Sequence, residues 1–345
     1  MFLLIFFLWW GAVAEATDEL PQITVKARRE PVTAVPESST TLEVEASAAD
    51  VAQVAASIPT ARTQRRGEND WELPTLRGEL SGQNRWFLES IPLTSSAFGV
   101  SQAHLVPPEA LAALQVFPGS IPASFAEDGL GGAFLMRFTW PEGRRVRAGV
   151  RLGSFGSRRM AVQGGIRNGA IDAIYHQGDD NFPYLDNNGT PFNINDDRWR
   201  MRENASFSRL TLLPRAQWHL LGEAGRSYVL ISQGRSQIPG PVSAPDGGLL
   251  SDRYLLIANE WGGDRGRLAI FASFDGQDYA PGSGFGVVAN GLKTDDRLLG
   301  VSYRSQLDAW RLGVQPQIEF IEMAGRGSSI NESKWWLPLS VGWST

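Results

Sequence analysis

From Arg144 onward the chain alternates: Val146, Ala148, Val150 and Leu152 are apolar, and Arg145, Arg147, Gly149 and Arg151 stand between them. A period of two belongs to a strand with one apolar and one polar face. The same period recurs in Met160, Val162 and Ile166, in Ile171, Ala173 and Tyr175, and in Leu210, Leu212, Ala216, Trp218 and Leu220, whose parity runs straight across Pro214. It recurs in Tyr254, Leu256 and Ala258, in Leu268, Ile270, Ala272 and Phe274, and in Leu299, Val301 and Tyr303. Trp310, Leu312 and Val314 follow, and Trp335, Leu337, Leu339, Val341 and Trp343 close the series. With "YVLISQ" at 228–233, these runs predict about ten strands.

The residues before 140 are patterned differently. "TLEVEA" alternates as a strand, and "SAADVAQVAASIP" predicts a helix capped by Ser47 and stopped at Pro59. "LPTLRGE" and "NRWFLESIPL" read as strands, "PPEALAAL" as a helix with proline at its start, and "QVFPGSIPASFAEDGLGGAFLMRFTW" as strands separated by glycine turns. Strand, helix and loop in this order predict a small mixed domain.

The spacing of the later strands separates two architectures. Connections at 167–169, 222–225, 262–266 and 306–309 are short, while those at 153–158, 177–203, 236–250, 276–294 and 324–331 are long. Strict alternation of short and long connections is required of an antiparallel outer-membrane barrel. A sandwich with Greek-key connections has no reason to keep it. Trp and Tyr near strand ends fit interfacial girdles.

Composition narrows the class. The chain of 345 residues contains no cysteine and carries a net charge of -5, so disulfides, thiolate metal sites and a basic nucleic-acid footprint are absent. Residues 1–16, "MFLLIFFLWWGAVAEA", combine an apolar run with Ala12, Ala14 and Ala16 at cleavage-site spacing, the pattern of a secretory signal peptide. No later run reaches the roughly 18 apolar residues of a membrane helix, so membrane insertion must be by strands. The three histidines at 104, 176 and 219 have no partners at metal-ligand spacing, and no nucleophile elbow or phosphate-binding glycine loop is present. No enzymatic role and no cofactor are assigned.

Five segments in order, "ITVKARREP", "VAASIPTARTQRRG", "LPTLRG", "LESIPL" and "LQVFPGSIPASFAEDGLGG", resemble the TonB box and plug domain of TonB-dependent outer-membrane receptors. The resemblance implies a mixed α/β plug followed by an antiparallel transmembrane β-barrel, with residues 17–40 as box and linker, 41–140 as plug and 141–345 as barrel. It makes Ile23, Thr24, Val25, Lys26 and Ala27 the box gripped by TonB, a reading in keeping with an unpaired extended peptide that can add to a partner's sheet edge. It assigns Arg77 and Gly78 to the plug's Arg-Gly turn, Gly129, Gly131 and Gly132 to its closing glycine turn, and Gly119 to the same plug motif. Two departures stand out: Glu89 and Ser90 occupy the place of an acidic-Gly pair, and "GGAFLMRFT" replaces a Gly-Gly-Val-Ile-Asn ending.

A plugged lumen goes with about 22 strands, whereas about ten strands leave an interior that side chains nearly fill. A globule of about 110 residues, with a radius of gyration near 13 Å, does not fit there, so the expectation is that this chain carries about half of a barrel. The family places ligands between plug apex and outer loops, which makes Gln83, Arg85, Trp86, Phe98 and Tyr184 ligand-contact candidates. Asp179, Asp180, Asp186, Asp196 and Asp197 are weak calcium candidates, their spacing matching no defined calcium loop. The implied function is import of a scarce chelate or nutrient such as a siderophore, haem or cobalamin across the outer membrane of a Gram-negative bacterium, with TonB, its inner-membrane energising complex and outer-membrane lipid as partners. The rival is a secreted or surface β-protein that binds polysaccharide or protein and transports nothing.

Overall fold

The structure is a computed structural model that describes residues 39–45, 48, 50–64, 73–78, 83–95, 100–119, 121, 125, 131–140, 143–190, 192–239, 247–263, 265–282, 291–307, 310–325 and 328–343. The proposed leader at 1–16 and the peptide Ile23 to Ala27 lie outside the described residues.

The first part contains β1 (Thr40–Glu43), α1 (Val51–Ala56), β2 (Ala61–Gln64), β3 (Leu73–Leu76), β4 (Asn84–Leu88), β5 (Ile91–Pro92), β6 (Thr94–Ser95), β7 (Val100–Ser101), β8 (Leu111–Pro118) and β9 (Gly132–Phe138). Its main sheet has the order β1-β8-β9-β4-β5, parallel only between β4 and β9. Both faces of the central strands are covered, so Leu88, Leu114, Val116, Phe134 and Met136 lose nearly all contact with solvent. The ring of Trp86 stacks on Phe134, with centroids 4.1 Å apart.

Local signals and structure part company twice in this region. Helix α1 starts after Asp50 rather than Ser47, because the Asp50 carboxylate accepts from the Gln53 amide at 2.6 Å. In "PPEALAAL" only Pro108–Ala110 forms a helical turn, and the segment from Leu111 onward is strand β8. There Leu114 and Val116 gain full burial and pairing with β1 and β9, a tertiary gain larger than the few tenths of a kcal/mol per residue of helix propensity.

The second part is one antiparallel curved sheet. Its strands are β10 (Arg145–Leu152), β11 (Arg158–Ile166), β12 (Gly169–Gly178), β15 (Phe207–Leu220), β16 (Glu223–Ile238), β17 (Gly248–Gly263), β18 (Gly266–Ala280), β19 (Leu292–Leu307), β20 (Trp310–Val314), β21 (Gln317–Gly325), β22 (Ser328–Trp336) and β23 (Leu339–Trp343). Strand β19 pairs with both β20 and β21, and β22 and β23 pair in turn with those two. The last four elements are thus two long strands interrupted at Pro316 and Pro338, residues that cannot donate to a ladder. Among the described residues the wall therefore has ten long strands, each joined to its sequence neighbour. A separate hairpin, β13 (Pro183–Asp186) with β14 (Arg198–Met201), stands in the connection between β12 and β15, which alternation alone did not predict. Strands β15 to β19 are 14 to 16 residues long, more than the roughly ten residues that cross a bilayer. Connections expected at 236–250 and 276–294 are correspondingly shorter, since β16 runs to Ile238 and β18 to Ala280.

Most expected apolar faces point away from the first part. Val146 (80%), Ile270 (50%), Trp335 (82%) and Leu339 (66%) are exposed. The central strands differ. Tyr254, Leu256 and Ala258 of β17 are buried against the globule, together with Tyr228, Leu230, Ala269 and Phe271, while Leu255 and Ile257 take the outward positions. These strands are apolar on both faces because the globule's core lies on one of them. Among the described residues no helix is long and apolar enough to cross a membrane.

Gly132, at the junction of β8, β9 and the Arg77 turn, tests this packing. It has φ +112°, and an added Cβ would overlap the Phe117 carbonyl oxygen and lie 2.8 Å from the Gly119 nitrogen. Gly143 has φ +108° with nothing within 4 Å of such a Cβ. Positive φ costs an alanine about 1–2 kcal/mol and overpacking about 1–3 kcal/mol more. Gly132→Ala should therefore lower the urea-unfolding midpoint of the purified protein clearly more than Gly143→Ala; equal losses would remove the steric argument.

Candidate functional site between the inner globule and the wall

The globule meets the concave face of the wall through an apolar core ringed by polar contacts. At the first, Glu109, in the turn before β8, accepts from Arg159 of β11 in two parallel bonds of 2.7 and 2.8 Å. Gln163 of the same strand donates to the Glu109 carbonyl at 2.7 Å and to Asp172 of β12 at 3.1 Å. Asp172 pairs with Arg215 of β15, which also donates to the carbonyls of Ala110 at 3.0 Å and Thr139 at 2.7 Å. The guanidinium lies over the Phe138 and Trp140 rings, 5.0 and 5.9 Å from their centroids. Buried charges survive only when paired and hydrogen-bonded, and two carbonyls, a carboxylate and two ring faces serve the terminal nitrogens of Arg215, while its Nε has no hydrogen-bond partner.

The second contact surrounds Glu89, which follows β4 with φ 54°. One carboxylate oxygen accepts from the Phe138 amide at 2.8 Å, and Arg226 of β16 stands 3.5 Å from the other. Ser90 donates its amide and its hydroxyl to Glu260 of β17, at 3.2 and 2.6 Å. The Tyr228 hydroxyl donates to the Leu88 carbonyl at 3.1 Å. Burial, seconded by the nearby Glu260 charge, raises the pKa of Glu89 above the ordinary carboxylate value.

The third contact lies nearer the long loops. Gln102 donates to Asp275 of β18 at 2.6 Å, and Arg209 of β15 holds Asp252 of β17 in two bonds of 2.7 and 2.9 Å. His104, packed beside this pair, has its pKa pushed well down by burial and by the Arg209 charge, so it is neutral at physiological pH.

Several residues singled out in the sequence gather around one turn. Arg77 (φ 55°) and Gly78 (φ 80°) form it, the Arg77 guanidinium lying so close to Gly119 that a Cβ there would come within 2.6 Å of Nη1. Gly119 donates to the Gly131 carbonyl at 3.4 Å, and Gly131 donates to the Gln83 carbonyl at 3.2 Å. Gly132 completes the group, while Gly129 and Phe98 lie outside the described residues. Arg85 is half-buried on β4. Trp86 is not a ligand contact: at 1% exposure it is a core ring stacked on Phe134, its strand parity turning it inward. Tyr184 sits on the separate β13–β14 hairpin.

Two of the calcium candidates have their carboxylates engaged by protein groups. Asp186 pairs with Arg200 at 2.8 Å and accepts from the Asn188 amide, and Asp196 accepts from the Thr190 hydroxyl at 2.7 Å. The amides of Asp179 and Asp180 both donate to the Phe155 carbonyl. Among the described residues, no three carboxylates or imidazoles gather to hold a metal. Sequence reasoning missed Glu109, Arg159, Asp172, Arg215 and Glu260, and marked Ser90 only as a departure from the family pattern. The available signal was a charge on the inward parity of strands whose inner face is otherwise apolar, as with Glu260 two positions beyond Ala258.

The chain matches no family model and no curated protein. Among solved structures it is similar to the copper transporter OprC, with a TM-score of 0.63 at 15% identity over 86% of this chain and 48% of OprC. It is similar to the siderophore receptor PiuA from Acinetobacter baumannii, with a TM-score of 0.58 at 14% identity over 90% of this chain and 54% of PiuA. It also resembles the Serratia marcescens hemophore receptor HasR, solved with its hemophore HasA and heme, with a TM-score of 0.59 at 13% identity over 90% and 50% of the two chains. The chain spans about half the length of each of these structures. At such identities the likeness is one of fold. That fold is the one of TonB-dependent receptors, a plug domain followed by antiparallel barrel strands, ten of them among the described residues.

Two measurements probe the contacts. Removing one member of a buried ion pair costs about 3–5 kcal/mol because the other charge stays behind, so Arg215→Leu should destabilise the folded protein by about that amount, and Arg215→Leu with Asp172→Leu by distinctly less. A double variant as unstable as the sum of the singles would show that the pair is not coupled. For Glu89 the folded pKa is raised, so the folded state binds its proton more tightly than the unfolded chain does. Its contribution to stability is full below about pH 4.5 and fades as pH rises through the folded value. The unfolding midpoint of the wild type relative to Glu89→Gln should therefore rise on acidification from neutral pH toward 4.5; a difference constant over that window would contradict the assignment.

Proposed function

We propose that the protein takes part in TonB-dependent import of a scarce chelate or nutrient across the outer membrane of a Gram-negative bacterium. The observation that carries this reading is a mixed globule held by polar contacts on the concave face of a strand wall whose convex face exposes an apolar belt. Such a belt suits lipid, and an antiparallel wall satisfies its backbone groups by lateral pairing, as a membrane demands. Residues 1–16 serve as the export signal, 17–40 as TonB-binding segment and linker, 41–140 as plug and 141–345 as barrel strands. In this reading TonB grips Ile23 to Ala27 by strand addition, and force from the inner membrane loosens the plug. The three structures described above are named for copper, siderophore and hemophore with heme, a range that supports import in general and leaves the cargo of this chain open. Gln83 and Arg85 on the plug and Tyr184 on the outer hairpin are proposed to contact cargo.

Proline has no N–H to donate and resists strand addition. In a strain whose only receptor is this protein, Val25→Pro should abolish uptake of whichever among radioiron chelates, haem and copper the wild type imports, while surface binding of that same compound stays unchanged. Uptake indifferent to Val25→Pro, or recovery of the protein in a soluble fraction, would favour the non-transporting binding protein.

A further inference from the structure

Four guanidiniums converge where the Glu89 contact reaches the wall's short-turn end, against two carboxylates. Arg267 of β18 and Arg304 of β19 are directly opposed in register on the concave face. Like charges so placed repel one another. Arg226 is committed to Glu89 at 3.5 Å, and Arg267 stands 3.8 Å from Glu260. Arg137 of β9, also near enough to repel Arg304, donates to Gln115 at 3.5 Å. One Glu260 oxygen is occupied by Ser90, with the Tyr228 hydroxyl 3.3 Å away, and the other accepts no hydrogen bond.

Arg304 is the exception within this group. Its guanidinium lies 4.4 Å from the centroid of the Phe125 ring, it forms no ion pair with a described residue, and its Nη2 is closed off from solvent without a hydrogen-bond partner. A buried donor left unmade costs about 1–3 kcal/mol, and native structures rarely keep one without reason. Both features, an excess of positive charge and an orphaned donor on a half-buried arginine, are ones that a single anionic group would satisfy.

We propose that Arg304 and Arg267 form a binding site for an oxyanion, a phosphate- or carboxylate-type group taken in the fork of one guanidinium and neutralising the other. The planar guanidinium matches such groups with two parallel bonds, and the ring of Phe125 holds the Arg304 fork in place from its other face. The site stands independently of the import reading; only its position on the periplasmic side rests on that reading. The oxyanion is either free in solution or part of an anionic cargo that passes once the globule moves.

The test uses the intact protein in detergent with inorganic phosphate as the probe, compared with chloride at equal ionic strength. Phosphate should raise the thermal unfolding midpoint in a saturable way, and Arg304→Gln should weaken phosphate binding at least about tenfold, the loss of one charge-assisted bidentate contact. Arg304→Lys, which keeps charge but not the fork, should fall between. A phosphate midpoint equal to that in chloride, or an Arg304→Gln variant that responds as the wild type does, overturns the proposal. Uptake then assigns the source. Slower uptake by Arg304→Gln with unchanged surface binding marks the anion as part of the cargo, and unchanged uptake marks it as free. Because the first arm needs no transport, failure of the import reading would leave it intact and measurable.

Discussion

Arg215 is the interaction on which the placement of everything else depends. It projects from β15 into the one spot where the globule hands the chain to the wall, and it binds the carbonyls of Ala110 and Thr139, which flank that exit. The Thr139 carbonyl turns to the Arg215 side chain because β9 ends at Phe138 and β10 begins at Arg145, while the Ala110 carbonyl is shared between Arg215 and the Thr139 amide, which donates to it at 2.9 Å. Asp172 anchors the guanidinium from the neighbouring strand, and the rings of Phe138 and Trp140 cover it. With that end fixed, the sheet β1-β8-β9-β4-β5 can present Glu89, Ser90 and Gln102 to strands β16, β17 and β18 in a single orientation.

The seam between globule and wall is apolar at its centre and polar at its rim. An entirely apolar seam would expose a large hydrophobic area on separation, at roughly 25 cal/mol for each Å². The contacts around Glu109, Glu89 and Gln102 are hydrogen bonds and ion pairs, whose net worth is about 0.5–1.5 kcal/mol each because water takes over when they break. The apolar part is confined to the centre, where Tyr228, Leu230, Tyr254, Leu256 and Phe271 receive the globule's core. A polar rim around an apolar centre fixes the orientation of the globule on the wall while limiting the apolar area between them.

Legibility in the sequence followed from how many faces of each segment are constrained. Outward positions such as Val146, Ile171, Ile270 and Leu339 obey one demand, to be apolar, and their parity could be read directly. Strands β16 to β18 obey two, and in "YLLIA" the alternation disappears because Tyr254 and Leu256 serve the core while Leu255 and Ile257 face out. The parity shared by Tyr254, Leu256 and Ala258 is therefore the inward one, whereas that of Val146 and Ile270 is outward. The same two-sided burial explains Trp86, a large aromatic near the expected apex that is spent on the core. "PPEALAAL" failed in the opposite sense: its local preference is helical, and the pairing of β8 with β1 and β9 lies about 75 residues and about 20 residues away in sequence, respectively, beyond any window of local pattern. The site was the least legible part, since Asp172, Arg215 and Glu260 have meaning only once the strands are in register.

The departure at Glu89 and Ser90 shows what such a substitution does. The resemblance to TonB-dependent receptors leads one to expect glycine at position 90, a residue with no side chain to offer the wall. Here the Ser90 hydroxyl reaches Glu260 at 2.6 Å and reinforces the bond from its own amide, so one oxygen of a buried carboxylate is held twice by the same residue. Glu89, at positive φ, turns its carboxylate back to the Phe138 amide, which closes the turn onto the strand that leads into the wall. The positive φ that glycine would tolerate is thus carried by the preceding residue, and the strain of about 1–2 kcal/mol is offset by hydrogen bonds that fix this turn against the wall. A contact that glycine would leave to backbone alone is in this chain made by a hydroxyl as well, so docking of the globule at this turn rests on two donors of one residue held by the Glu260 carboxylate.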